Sequence, residues 1–80
     1  MKHYTYKTSG TCSREIAFDI EDGKVYNVHF LGGCSGNTQG VSKLVEGLPV
    51  EEVIFRLSDI KCGFKNTSCP DQLAQALKKL

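Results

Sequence analysis

The run Glu15-Ile16-Ala17-Phe18-Asp19-Ile20-Glu21-Asp22-Gly23-Lys24-Val25-Tyr26-Asn27-Val28-His29-Phe30 decides the fold. Ile16, Phe18 and Ile20 alternate with Ala17, Asp19 and Glu21, and Tyr26, Val28 and Phe30 alternate with Asn27 and His29. A period of two puts each apolar set on one face of a strand, so strands are predicted over 14–21 and 25–31. Between them Asp22-Gly23-Lys24 is a turn signal, because glycine accepts the positive φ that a tight turn or its bulge needs. A three-residue loop pairs Ile20 with Tyr26, Phe18 with Val28 and Ile16 with Phe30, and so gathers all six apolar residues on one face. A two-residue or four-residue loop sets Phe18 against a polar neighbour and splits the set.

Working outward, residues 3–8 with Tyr4 and Tyr6 make a plausible first strand, and after residue 34 the spacing turns helical. Val41, Leu44, Val45 and Leu48 follow i, i+3, i+4, i+7, as do Val50, Val53, Ile54 and Leu57, and then Leu73, Ala76, Leu77 and Leu80. Gly47 and Pro49 separate the first two helices, and Glu51 and Glu52 fall in the next first turn, where the macrodipole favours acid. Pro70 and Asp71 mark the start of the third helix, and Lys78 and Lys79 meet the dipole at its end. Strands followed by helices predict an α+β domain: a three-stranded antiparallel sheet with three helices packed on one face.

Eighty residues make one small domain, and a chain of that size buries only about 60% of its unfolded surface, which leaves a thin margin of stability. Such domains often carry a staple, and the four cysteines are the candidates. The formal net charge of +1, without a basic arm, argues against nucleic acid and against an anionic membrane surface. The start of the chain, Met1-Lys2-His3-Tyr4-Thr5-Tyr6, has no apolar run of the kind a signal peptide needs, and no stretch spans a membrane, so a cytoplasmic location is expected. Structural disulfides are rare in that compartment, which turns the cysteine excess toward metal binding or redox chemistry.

The favoured hairpin register, carried to its open end, sets Cys12 opposite Cys34. Gly32, Gly33 and Gly36 make a regular ladder there doubtful, so proximity is the expectation. Cys62 and Cys69 come from the second half. Cys69 stands at the start of the last helix, where free N–H groups and the dipole favour a thiolate, with Lys61 and Lys65 nearby. All four cysteines lie in loops or at element ends beside Gly, Ser, Thr or Asn. His3 and His29 read as solvated residues rather than ligands, since His29 falls on the face opposite the apolar one. Gly32-Gly33-Cys34-Ser35-Gly36-Asn37 leads into a helix and suits an anion on backbone N–H groups, but it lacks the phosphate-loop pattern and its lysine.

The string Asn66-Thr67-Ser68-Cys69-Pro70-Asp71, with Gly32-Gly33-Cys34-Ser35-Gly36-Asn37 upstream, resembles the TSCPD domain family over nearly the whole chain. That family occurs as small free-standing bacterial proteins and as a C-terminal segment of some adenosylcobalamin-dependent ribonucleotide reductases. The resemblance implies a tie to deoxyribonucleotide synthesis, with the reductase as a protein partner. Eighty residues cannot build the reductase barrel itself. A fainter similarity is to iron–sulfur scaffold proteins of the IscU/NifU type, whose three cysteines match Cys12, Cys34 and Cys69 in order; it implies an arrangement like theirs and iron–sulfur machinery as the partner. This chain has Arg14 where that pattern has Asp and Ser68 where it has His, and Cys62 completes an all-thiolate set, which favours a tighter and more static site.

Four thiolates satisfy tetrahedral zinc with no open position, as structural sites do. The expectation is therefore a zinc-binding accessory module with Cys12, Cys34, Cys62 and Cys69 as ligands and no catalytic residue. An iron–sulfur cluster scaffold or carrier is one alternative. The enzyme-class alternative is a ribonucleotide reductase component, or thiol redox protein, in which Cys62 and Cys69 cycle between dithiol and disulfide.

Overall fold

The computed structural model describes residues 1–8, 10, 13–32, 35–61 and 67–80, with the side chains of 13 and 35–37 left aside. Strands β1 (Lys2–Lys7), β2 (Ser13–Glu21) and β3 (Lys24–Gly32) are followed by helices α1 (Ser35–Val45), α2 (Val50–Leu57) and α3 (Cys69–Lys78). The strands form one antiparallel sheet in the order β1-β2-β3, the expected α+β architecture. Ile16, Phe18, Val25 and Val28 of the sheet share a buried cluster with Val45, Val53, Leu73, Ala76 and Leu77 of the helices. The helices therefore cover one sheet face, while His3, Thr5 and His29 are exposed on the other. Tyr4 stacks on Phe18 with ring centroids 5.6 Å apart and extends the core under β1.

The hairpin departs from the expected three-residue loop. Glu21 pairs with Lys24, Ile20 with Val25 and Asp19 with Tyr26, so the loop is the two residues Asp22-Gly23. Both have positive φ, 52° and 73°, as a type I′ turn requires. That register would split the apolar set, and a β-bulge repairs it. The ladder shifts between Ala17 and Asp19, and Ile16 then meets Phe30 as expected. Asn27 is the extra residue on β3, at φ 53°. The bulge makes Val25 and Val28, three apart, both face the core, and Phe18 falls opposite the bulge rather than in a pair with Val28.

A second shift, between Ser13 and Glu15, brings Ser13 opposite Gly32. The register expected to continue toward Cys12 and Cys34 thus changes before the end of the ladder, and those two cysteines lie outside the described residues.

The helix spacings are right in period and wrong at two positions. Leu44 and Leu80 are 78% and 55% exposed, not on the buried face. Among the described side chains of α1, Thr38 and Val45 are buried, seven apart and so on one stripe, and this stripe points Leu44 sideways. No helix among the described residues is long and apolar enough to cross a membrane.

Candidate functional site at the start of the last helix

Thr67-Ser68-Cys69-Pro70-Asp71 builds the start of α3, and nearly every side chain in it has a structural task. Ser68 is the N-cap in extended conformation, and its Oγ accepts the Asp71 N–H at 3.2 Å. The Ser68 carbonyl accepts the Gln72 N–H at 2.8 Å, opening the helical ladder. Pro70 sits in the first turn, where its missing N–H costs nothing and its fixed φ suits the helix.

Asp71 is the hub. Its carboxylate accepts the Thr67 hydroxyl at 2.5 Å, the Asp59 backbone N–H at 2.7 Å and the Gln75 Nε2 at 3.3 Å. Thr67 in turn accepts the Gln72 Nε2 at 3.0 Å. One buried carboxylate thereby ties the turn after α2 to the first turn of α3, with Asp59 held at φ 66°. Burial pushes the Asp71 carboxyl up, but the hydrogen bonds from Thr67, Asp59 and Gln75, with the charge of Lys78, outweigh it and hold the group below the ordinary value of 3.8. The sequence reading took Asp71 only as a dipole partner; the signal for the larger role was Ser68-x-x-Asp71, a variant of the capping box.

Gly10, in the connection between β1 and β2, lies against this cap. A Cβ at Gly10 would come within 3.1 Å of Thr67 Cγ2, and its φ is 77°. The β1–β2 connection thus meets the cap of α3, with Gly10 two residues before Cys12 in sequence and Thr67 two before Cys69. Ser13 and Gly32, which stand beside the segments carrying Cys12 and Cys34, are paired across the hairpin.

Of the four expected ligands, Cys69 is described: it is half-buried at the first position of α3. Cys12, Cys34 and Cys62 lie outside the described residues, as do Gly33 of the glycine-rich segment and Lys65. Among the described residues no group of three or more His, Cys, Asp or Glu is placed to hold a metal ion, a set that contains only one of the four cysteines. His29 is exposed, and His3 donates from Nδ1 to Asp19 at 2.7 Å on the open sheet face. Lys79 does more than meet a dipole: its Nζ lies 5.2 Å from the Tyr6 ring centroid and fastens the end of α3 to β1.

No curated protein and no solved structure matches the chain. A model of the TSCPD domain matches residues 2–80, and the cap it is named for is the motif whose hydrogen bonds organise the start of α3. The chain belongs to the TSCPD domain family.

Proposed function

We propose that this domain is a small metal-binding accessory module in which Cys12, Cys34, Cys62 and Cys69 hold one zinc ion, and that it serves ribonucleotide reduction, a context in which TSCPD domains are known. The observation that carries the reading is the contact of Gly10 with Thr67, which joins the chain entering the first cysteine to the chain entering the last. Within the cap, Thr67, Ser68 and Asp71 spend their side chains on hydrogen bonds and Pro70 spends its ring on helix initiation, and Cys69 stands half-buried among them at the first position of α3. The donor set fits zinc, since four thiolates leave no open coordination position. Zinc in such a site contributes folding energy and no turnover. The role is then to stiffen one end of the domain for contact with a reductase partner.

Elemental analysis combined with thiol titration under reducing conditions tests this. One zinc per chain with no titratable thiol is the expected result. A brown chromophore with iron and sulfide moves the site to an iron–sulfur scaffold or carrier. Four titratable thiols without metal overturn the module and leave dithiol exchange by Cys62 and Cys69.

A further inference from the structure

The proposed zinc site draws its four ligands from four stretches of chain, and three of those stretches depart from residues gathered round Asp71. Asp59, in the turn after α2, donates its N–H to Asp71 Oδ1 at 2.7 Å, and Cys62 follows three residues later. Thr67 donates its hydroxyl to Asp71 Oδ2 at 2.5 Å, and Cys69 follows two residues later. The same hydroxyl accepts Gln72 Nε2 at 3.0 Å, so it is held from two sides. A threonine whose hydroxyl is held has its methyl group fixed as well, because both sit on one χ1 torsion. That methyl carbon is the atom which a Cβ on Gly10 would meet at 3.1 Å, and Gly10 stands two residues before Cys12.

A chain spans at most about 3.3–3.6 Å per residue, so the Cα of Cys62 lies within about 11 Å of that of Asp59, and Cys12 and Cys69 are tied more closely still to Gly10 and Thr67. Both oxygens of Asp71 are engaged, and its side chain is buried, which suits it to fix these departures and not to ligate.

We propose that Asp71 is the positioning residue of the metal site: through Asp59, and through Thr67 to Gly10, its carboxylate sets where the stretches carrying Cys62, Cys69 and Cys12 begin, and so tightens zinc binding without touching the metal. This rests on the zinc reading of the four cysteines. The sign of the effect separates position from charge. Zinc binding deprotonates its thiols, so the loaded site of one zinc and four thiolates carries net negative charge. A nearby carboxylate disfavours that state by charge alone, and its removal would tighten binding. Loss of positioning weakens it.

The test is titration of cobalt(II) and of zinc into the reduced full chain. Absorption reads the cobalt site, and competition with a chromogenic chelator reads zinc affinity. The parent is expected to show the bands of tetrahedral thiolate-bound cobalt. Asp71→Asn is expected to bind zinc about tenfold more weakly, the low end for residues that orient ligands, and to alter the visible cobalt bands. Thr67→Val keeps a methyl group for Gly10 and loses the hydroxyl; it is expected to change both readouts the same way by a smaller factor, and it carries the test if Asp71→Asn does not fold. Phe18→Leu, a core change in β2, lowers the melting temperature. It is expected to keep parental zinc affinity and cobalt bands while circular dichroism shows it folded, since a chain almost wholly folded binds with its intrinsic affinity. Zinc binding that is unchanged or tighter in Asp71→Asn, or in Thr67→Val where that variant stands in, overturns the positioning role, and so does an equal loss in Phe18→Leu. A parent that takes up neither metal overturns the zinc reading itself, and is seen before any variant is made.

Discussion

Asp71 shows how much one side chain can organise in a small domain. It is 5% exposed and accepts three hydrogen bonds, two of them from groups outside its own helix. Substitution to Asn keeps one acceptor oxygen but removes the charge, and the amide cannot accept both the Thr67 hydroxyl and the Asp59 N–H. The expected cost is about 1–3 kcal/mol, read from urea unfolding. The pH dependence has a definite sign. A carboxyl held below its ordinary 3.8 in the folded state stabilises the protein above that value and loses its contribution as pH falls through the lower folded value. The gap between parent and Asp71→Asn is therefore expected to be full at pH 6 and to close below about pH 3.8, as followed by thermal unfolding across that range. A gap independent of pH would assign the cost to shape alone. Gly10 is the neighbouring case: Gly10→Ala puts a methyl group 3.1 Å from Thr67 Cγ2 on a left-handed backbone and is expected to cost about 1–2 kcal/mol.

At the scale of the element, the β2–β3 hairpin marks where sequence reading stops. Alternation revealed both strands, and glycine revealed the turn. The choice of loop length rested on keeping the apolar residues in phase, and that premise holds; the chain meets it by a bulge rather than by a longer loop. Nothing in local sequence marks Asn27 as a bulge, because its left-handed backbone is held by partners from elsewhere: its N–H donates to Glu46 and its Nδ2 to Asp19 at 2.9 Å. Asparagine tolerates φ of 53° better than most residues, so the position became legible only once α1 was in place. Asn27→Gly keeps the backbone and removes the Asp19 contact, whereas Asn27→Val removes both. Asn27→Val is expected to be the less stable of the two by about 1–2 kcal/mol, as measured by denaturant unfolding. The Asn27 hydrogen bond is the largest cause holding the Asp19 carboxyl below its ordinary value, ahead of the His3 bond. In Asn27→Gly that carboxyl is expected to titrate at higher pH than in the parent, a change that NMR reads directly.

For the whole molecule, size sets the question. Among the described residues ten buried apolar side chains form the core, and Phe18, Ile16, Leu73, Val25 and Val53 are the largest that are fully buried. A domain of this length holds a net stability of about 4–12 kcal/mol at ordinary values per residue. The core was legible because hydrophobic period survives in the fold even where register and two leucines do not. The proposed cysteine site can be read in the sequence only as residue types near element ends, since ligand geometry depends on how loops meet, and loops carry no period. The Gly10 contact with Thr67 is the joint that spacing could not supply. If zinc joins the segments on either side of this contact, its binding adds to folding stability by mass action, about 2.7 kcal/mol at a hundredfold excess over the dissociation constant. In a domain of this size each kcal/mol moves the midpoint by about 4–8 °C, so removing the metal by a chelator is expected to lower the melting temperature by about 10–20 °C. Cys69→Ser is the discriminating variant. Serine suits the first turn of a helix and leaves the Ser68 cap and the Asp71 hub untouched. Added zinc should raise the parent and not the variant. A melting temperature for the parent that ignores both chelator and zinc would remove the metal from the stability of this fold and leave the Asp71 cap as the device that holds its two halves together.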